Sequence, residues 1–458
     1  MGPRGVSAHG RFFAAWPFSA AVVVVVGVCF FPSWAVALVS GHGGGAVCNG
    51  TVSGLPVWAG SLREVARVAN GVRLAAGEPG QSLLHVVQTR GTPLQQGLAM
   101  GQLFRAELPH MLNLTLAMVD AYLDEVCGRR LEPLCKILED GGVVQDVLVA
   151  FAHLVRPWTP AYVLDEIRGM ALATGLSAEL LEGMANIPEI IKGSCSMVGA
   201  LGPAVPAGAG LQQLRALMLK PYLTLQAYPV VAVAFHDVNT TDDDAVAAEA
   251  RVGFLGLPGV LTGLNSAGLL LSEKSHGEYL GGGAQRGEPW AYVLRDVVRR
   301  ARTAEQAVAM LAAAERTWPL YLGVGHTAGP GTFYLVEYAH DVPLNVTDWR
   351  NCTTYPTHPR IPGLAFIDEF SQPSRDPCYA QVLAQLAGNV TAENMARYLA
   401  PLAQTGGLHA VTMNAQQIYV ANAKYPLTGD GSRTDAADSA FNRQFVRLDT
   451  ATLFEYQV

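Results

Sequence analysis

The sequence predicts an α+β layered sandwich. Three observations carry this: helical patterning dominates up to about residue 191, short glycine-punctuated strand patterns take over after Cys195, and paired helical patterns interrupt those strands. In the first half, apolar residues recur at three- and four-residue spacing over 61–69, 93–126, 142–155 and 160–176, as on one-sided helices. Only residues 82–89 read there as a strand. After Cys195, strand patterns fall at 228–235, 252–257, 268–272, 320–325, 332–337, 409–413 and 417–421, and helical ones at 290–302, 303–315, 377–386 and 391–402. Residues 199–210 hold six glycines and prolines and read as a loop or lid. The chain thus divides into residues 1–37, a helix-rich segment 38–194 and a strand-rich segment 195–458.

The first 37 residues have the three parts of a secretory signal peptide: Arg4 and Arg11, an apolar run over 20–31, and the small-x-small ending Ala35-Val36-Ala37. Cleavage is expected near Ala37. Trp34 and Leu38 prolong the apolar character and leave an uncleaved signal anchor as the alternative. Glycan acceptor sequences begin at Asn49, Asn113, Asn239, Asn345, Asn351 and Asn389, which fits a secreted or lysosomal glycoprotein. The remaining stretch of about 420 residues is long enough for a substantial core. It contains no second apolar run that would cross a bilayer, so the mature chain is expected to be soluble. Charged residues are 15% of the chain and the formal charge is -7, with no basic cluster to hold nucleic acid.

The sequence has no Cys-x-x-Cys, His-Glu-x-x-His, phosphate loop or Gly-x-Ser-x-Gly elbow, so neither metal nor cofactor is expected. Of seven cysteines, Cys29 lies in the signal and Cys48, Cys127, Cys135, Cys195, Cys352 and Cys378 remain. Thiols pair in an oxidising compartment. Short separations favour Cys127 with Cys135 and Cys352 with Cys378; a bridge between the leftover Cys48 and Cys195 would make the chain purely structural. The other reading of Cys195 is chemical. It stands between Ser194 and Ser196 where the helical half ends. If the bond before it were cut, its own α-amine, titrating near neutrality, would accept the thiol proton without a separate histidine.

Five stretches occur in order from residue 186 to 423: Asn186 and Glu189 ahead of Cys195-Ser196-Met197; Arg215 within 211–217; Gly263-Leu264-Asn265 followed by Gly268-Leu269; residues 290–296; and residues 404–410 with 418–422. On these motifs the chain resembles acid ceramidase, N-acylethanolamine-hydrolysing acid amidase and the acid-ceramidase-like proteins, relatives of penicillin acyltransferases and bile-salt hydrolases. The resemblance implies a four-layer αββα sandwich of the N-terminal-nucleophile hydrolase type, preceded by a mostly helical segment. It also implies a thiol amidohydrolase of linear, non-peptide amides such as N-acyl lipids, with both subunits made from one self-cleaved chain. Cys195 would be cleavage site and nucleophile, Arg215 a fixed cation of the site, and Asn265 a donor to the amine or oxyanion. The expected partner is a small lipid-like amide, with peripheral contact to membrane lipid. Phe254, Leu255, Leu257 and the 199–210 loop are candidate walls of an acyl pocket. Two positions depart from the pattern: Met218 stands where relatives carry Asp, and no asparagine is in register near residues 358–363, with Arg375 the candidate for the arginine that follows. Asp237 is a candidate replacement carboxylate. Met218 supports the alternative, a catalytically impaired secreted glycoprotein of the same fold that acts as a binding protein.

Overall fold

A computed structural model describes residues 48–130 (backbone only over 122–130), 143–190 (backbone only at 143), 193–218, 224–236, 245–281, 283–284, 286–424 and 439–457. The signal segment, the expected Cys127 with Cys135 bridge, Asp237 and Asn239 lie outside the described residues. The five other acceptor asparagines are all exposed.

Two sheets form the centre. With strands numbered in chain order, the larger runs β1 (Arg63–Val68), β2 (Gly71–Ala76), β3 (Leu84–Arg90), β6 (Pro229–Phe235), β7 (Ala248–Phe254), β8 (Thr262–Asn265), β9 (Leu269–Ser275), β10 (Leu320–His326), β11 (Thr332–Tyr338), β12 (Asn345–Thr347). The smaller runs β13 (Leu364–Ile367), β4 (Ser194–Ala200), β5 (Gln212–Met218), β14 (His409–Met413), β15 (Gln417–Asn422), β16 (Val446–Asp449). Neighbours pair antiparallel except β3 with β6. The sheets face each other through Val86, Val231 and Val252 on one side and Val411, Met413, Ile418 and Val420 on the other.

Helices cover both outer faces. On the larger sheet lie α1 (Pro93–Leu103), α2 (Glu107–Arg130), α3 (Val143–Val155), α4 (Ala161–Thr174), α5 (Ala178–Ala185), the single turn α6 (Ile187–Ile190), α7 (Trp290–Arg300) and α8 (Ala304–Ala313). On the smaller sheet, α9 (Cys378–Leu386) and the helical stretch 392–402 pack Tyr379, Val382, Leu383 and Leu399 against Val198, Leu214 and Ala216. The order is α, β, β, α, as the sequence led one to expect. Local chemistry sets the helix ends: Thr92 and Gln95 exchange side-chain to backbone hydrogen bonds in a capping box ahead of α1, whose first residue is Pro93. Gly97 brings α1 so near α4 that an added Cβ would fall 1.9 Å from the Glu166 carbonyl oxygen. No described helix is long and apolar enough to cross a membrane.

Two expectations are corrected. Residues 61–69 are not helical: β1 turns through Ala69-Asn70 into β2, and both strands join the larger sheet. A nine-residue window covers too few periods to separate the two patterns, and Asn70-Gly71 is itself a hairpin signal. Three strands from before Cys195 are therefore stitched into the same sheet as those after it. The disulfide joins Cys48 to Cys378, while Cys195 and Cys352 are free thiols. The proposed Cys352 with Cys378 and Cys48 with Cys195 bridges are both absent, because Cys48 docks beside α9 in the outer helical layer whereas Cys195, on β4, packs in a different cluster with Leu217, Phe254 and Leu271.

Candidate active site

Cys195 is the second residue of β4, opposite Leu217 of β5, with Ser194 opposite Met218. The strand buries it to 1% exposure. Arg215 lies two residues along β5 from Leu217 and is fully buried; its Nη2 is 3.7 Å from the Cys195 sulfur. The same guanidinium forms an ion pair with Glu273 on β9 of the facing sheet, and the Glu273 carboxylate is 3.9 Å from the sulfur. The site is therefore a thiol at the start of one sheet closed over by a buried Arg–Glu pair that bridges to the other. The structure brings Cys195 and Arg215 together, and it adds Glu273, which sequence reasoning missed. The available signal was Glu273-Lys274, a charged pair continuing the apolar strand pattern of 268–272 into a buried strand.

Burial pushes the Cys195 thiol up to about 12, and the Glu273 carboxylate adds to the effect; Arg215, Lys274 and the Ser275 backbone N–H oppose it. The thiol thus stays protonated, with a carboxylate oxygen positioned to take the proton. Beside it is a cavity of about 60 Å³ walled by Leu217, Leu225, Leu257, Leu261, Trp290 and Leu320, with Glu273 at its polar end. Leu257 lines it as expected. Phe254 and Leu255 pack in the core behind it. No residue of 199–210 lines the cavity, and the first two of that stretch are the end of β4 rather than loop.

The segment ahead of Cys195 is fixed to the cavity. Glu189 accepts from the Trp290 backbone N–H at 2.5 Å and the Thr317 hydroxyl at 3.3 Å, its carbonyl accepts from the Trp318 indole at 3.1 Å, and the Pro188 carbonyl accepts from the Trp290 indole at 3.2 Å. Burial pushes the Glu189 carboxyl up to about 8 against those two donors.

Asn265 makes its hydrogen bonds within the fold. Its amide donates to the Val298 and Ala301 carbonyls at 2.8 Å each, and its oxygen accepts from the Ala267 and Leu269 N–H groups at 3.0 Å. These four bonds tie the β8–β9 hairpin to the end of α7. Asn265 also sits opposite the start of β9, four residues and about 13 Å from Glu273. Met218 accepts the Gly407 N–H at 2.7 Å through its sulfur and supplies no carboxylate. Arg375 is exposed.

Fold and site together define an αββα sandwich with a buried thiol held by an arginine–glutamate pair. No protein-family model matches the sequence. The chain is similar to two Dictyostelium discoideum proteins: dcd1A, 29% identical over 423 residues, covering 89% of this chain and 94% of that one, and dcd1B, 27% identical over 411 residues, covering 86% and 79%. A Caenorhabditis elegans N-acylethanolamine-hydrolyzing acid amidase ortholog superposes at a TM-score of 0.37 with 16% identity, over 56% of this chain and 100% of that one, a likeness too slight to bear on function.

Proposed function

We propose that the chain is a thiol amidohydrolase of linear, non-peptide amides, N-acyl lipids above all, activated by cleavage between Ser194 and Cys195. The observation that carries this reading is Cys195 itself: a free, buried thiol at a strand start, 3.7 Å from Arg215 and 3.9 Å from Glu273, opening on an apolar cavity. In the first reaction Glu273 takes the thiol proton, the sulfur attacks the Ser194 carbonyl carbon, and the C–N bond breaks with a proton passing to the Cys195 nitrogen. Water then hydrolyses the thioester, leaving a carboxylate on Ser194 and a free amine on Cys195. That amine serves as base in turnover: it accepts the thiol proton, the thiolate adds to the substrate carbonyl, the amine half leaves with the proton, and water releases the acid from the thioester. Arg215, held by Glu273, keeps a fixed positive charge beside the sulfur. Glu273 takes the part that Met218 leaves vacant. The leucine and tryptophan walls suit an acyl chain. The signal-like N-terminus and exposed acceptor asparagines support secretion or delivery to the lysosome.

The test is a denaturing gel of purified protein with N-terminal sequencing. A fragment beginning at Cys195 is expected, absent in Cys195→Ala, and the Cys48–Cys378 bridge keeps the two pieces joined until a reductant is added. Hydrolysis of a fluorogenic fatty amide at acid pH should follow cleavage. The second reading, a binding protein that has lost the reaction, is favoured by Met218 and by the high thiol pKa. An intact chain that binds fatty amides without hydrolysing them would establish it in place of the first.

A further inference from the structure

From the thiol toward the surface the chain opens outward along one stretch: residues 269–274 are buried, 275–279 half-buried, and Leu280 is 89% exposed. Glu273, Ser275, His276 and Gly277 of this stretch line the same cavity as Cys195. The imidazole at this lip is fixed. Its ring stacks on Tyr321 of β10, centroids 4.1 Å apart at 19°, with Tyr279 edge-on at 5.5 Å, and the His276 backbone N–H donates to the Pro319 carbonyl at 3.1 Å. The Tyr321 hydroxyl donates to Glu278 Oε1 at 2.9 Å, and that oxygen is 3.7 Å from His276 Nδ1. A carboxylate on that side favours the tautomer protonated at Nδ1, which leaves the Nε2 lone pair to accept from a ligand.

The charge of Glu278 is not cancelled locally. Its side chain is 20% exposed, its Oε2 is buried without a partner, and no described lysine or arginine nitrogen lies within 4.0 Å of it. Lys274 and Glu337 stand opposite Tyr321 on the two neighbouring strands, and their charges offset. None of the cavity-lining residues is a lysine or arginine. Burial holds the His276 imidazole below its usual value, with Glu278 and Glu337 opposing and Lys274 adding, so at neutral pH the ring does not supply the missing charge.

We propose that His276 and Glu278 form a subsite for an ammonium group on the amine half of the substrate, so that the preferred amide is one whose amine carries a second, protonated amine. An amide with its carbonyl at the sulfur and its acyl chain among the leucines leaves its polar half for this lip. There His276 Nε2 accepts from the ammonium and the Glu278 carboxylate supplies the counter-charge through the ring. Tyr321, which holds both, is a positioning residue. A hydroxyl in the same place satisfies the lone pair but not the carboxylate, and an anion is repelled. That the ligand is an amide rests on the amidohydrolase reading; the charge of the subsite does not.

Dodecanamides that differ only in the amine half, N-aminoethyl, N-hydroxyethyl and N-carboxyethyl, separate these effects when titrated calorimetrically into the full chain at about pH 7.5, where the free amine is protonated. Release of dodecanoate is followed alongside, and selectivity is read as Kd where an amide is not cut and as kcat/KM where it is. Wild type is expected to favour the aminoethyl amide at least about tenfold over the hydroxyethyl amide, and by more over the carboxyethyl amide. Glu278→Gln should erase the first preference while holding the hydroxyethyl amide within about threefold of wild type, and Glu278→Asp, which keeps the charge, should retain it. Should Glu278→Gln lose the hydroxyethyl amide as well, the ratio in Glu278→Asp decides. Equal selectivity for the aminoethyl and hydroxyethyl amides in wild type, a preference that survives Glu278→Gln, or its loss in Glu278→Asp overturns the proposal. A chain that shows the ratio in Kd and cuts none of these amides would sink the amidohydrolase reading and keep the subsite; one that cuts all of them at equal kcat/KM would do the reverse.

Discussion

Two buried arginine–glutamate clusters stand among the described residues, and they do different things. In one, Glu166 of α4 pairs with Arg295 of α7 at 2.5 Å and with Arg251 of β7 at 3.1 Å, and Glu249 of β7 meets Arg295 at 3.1 Å. Arg251 also donates to the Pro258 carbonyl, and Tyr162 lies under the Arg295 guanidinium. Charges alternate and compensate, which depresses the Glu166 carboxyl to about 2 despite its burial. In the other, Arg215 meets Glu273, but Arg215 Nη1 has no partner among the described residues and a thiol lies against the pair. The first cluster ties the segment before Cys195 to the segment after it. The second sets a fixed pair of charges against a nucleophile. Burial of an ion pair marks neither role; a nucleophile lying against the pair does.

Breaking the first cluster should have the largest effect. Arg295→Met strands buried Glu249 and leaves Glu166 to Arg251 alone, and is expected to cost about 3–5 kcal/mol in denaturant unfolding. Glu273→Gln is the sharper probe of the second: it keeps size but removes the proton acceptor, so cleavage before Cys195 should slow about 10²-fold, followed by gel densitometry. Should Glu273→Gln instead unfold the chain while cleaving normally, the two clusters would be equivalent and the comparison would fail. Asn265→Ala gives up four buried hydrogen bonds and is expected to cost about 1–3 kcal/mol, with the cleavage rate of the folded chain unchanged; a cleavage defect would return Asn265 to the site.

The smallest effect is a pH slope. A carboxyl whose folded pKa is raised contributes stability that is present at acid pH and lost as pH climbs to that value. Glu189 and Glu369 at about 8, and Glu288 at about 7, act in this sense. Buried His85 and half-buried His236, both lowered to about 4, act at lower pH, where folded stability is lost as they are forced to charge. Between about pH 6.5 and 8 the carboxyls dominate, so thermal midpoints should fall as pH rises, and Glu189→Gln should flatten that slope. An unchanged slope would place the Glu189 charge elsewhere.

The sequence by itself determined the alternation of layers, because hydrophobic period is a local property that helices of ten or more residues and strands of seven display plainly. The patterns over 142–155, 160–176, 290–302, 332–337 and 409–413 match α3, α4, α7, β11 and β14 within a few residues. It also singled out Cys195 and Arg215, whose neighbours on β4 and β5 lie close in the chain. What it read least well was whatever depends on partners distant in sequence. Asn265 looked like a site residue because its turn motif is local, yet only packing shows its amide consumed by the end of α7. Glu273 looked like the polar end of a strand, and only the facing sheet makes it a partner of Arg215. The pairing of Cys48 with Cys378 spans 330 residues and was beyond any spacing rule. Periodicity records which face of an element is buried; it does not record what that face meets, and the chemistry of this site lies in what meets.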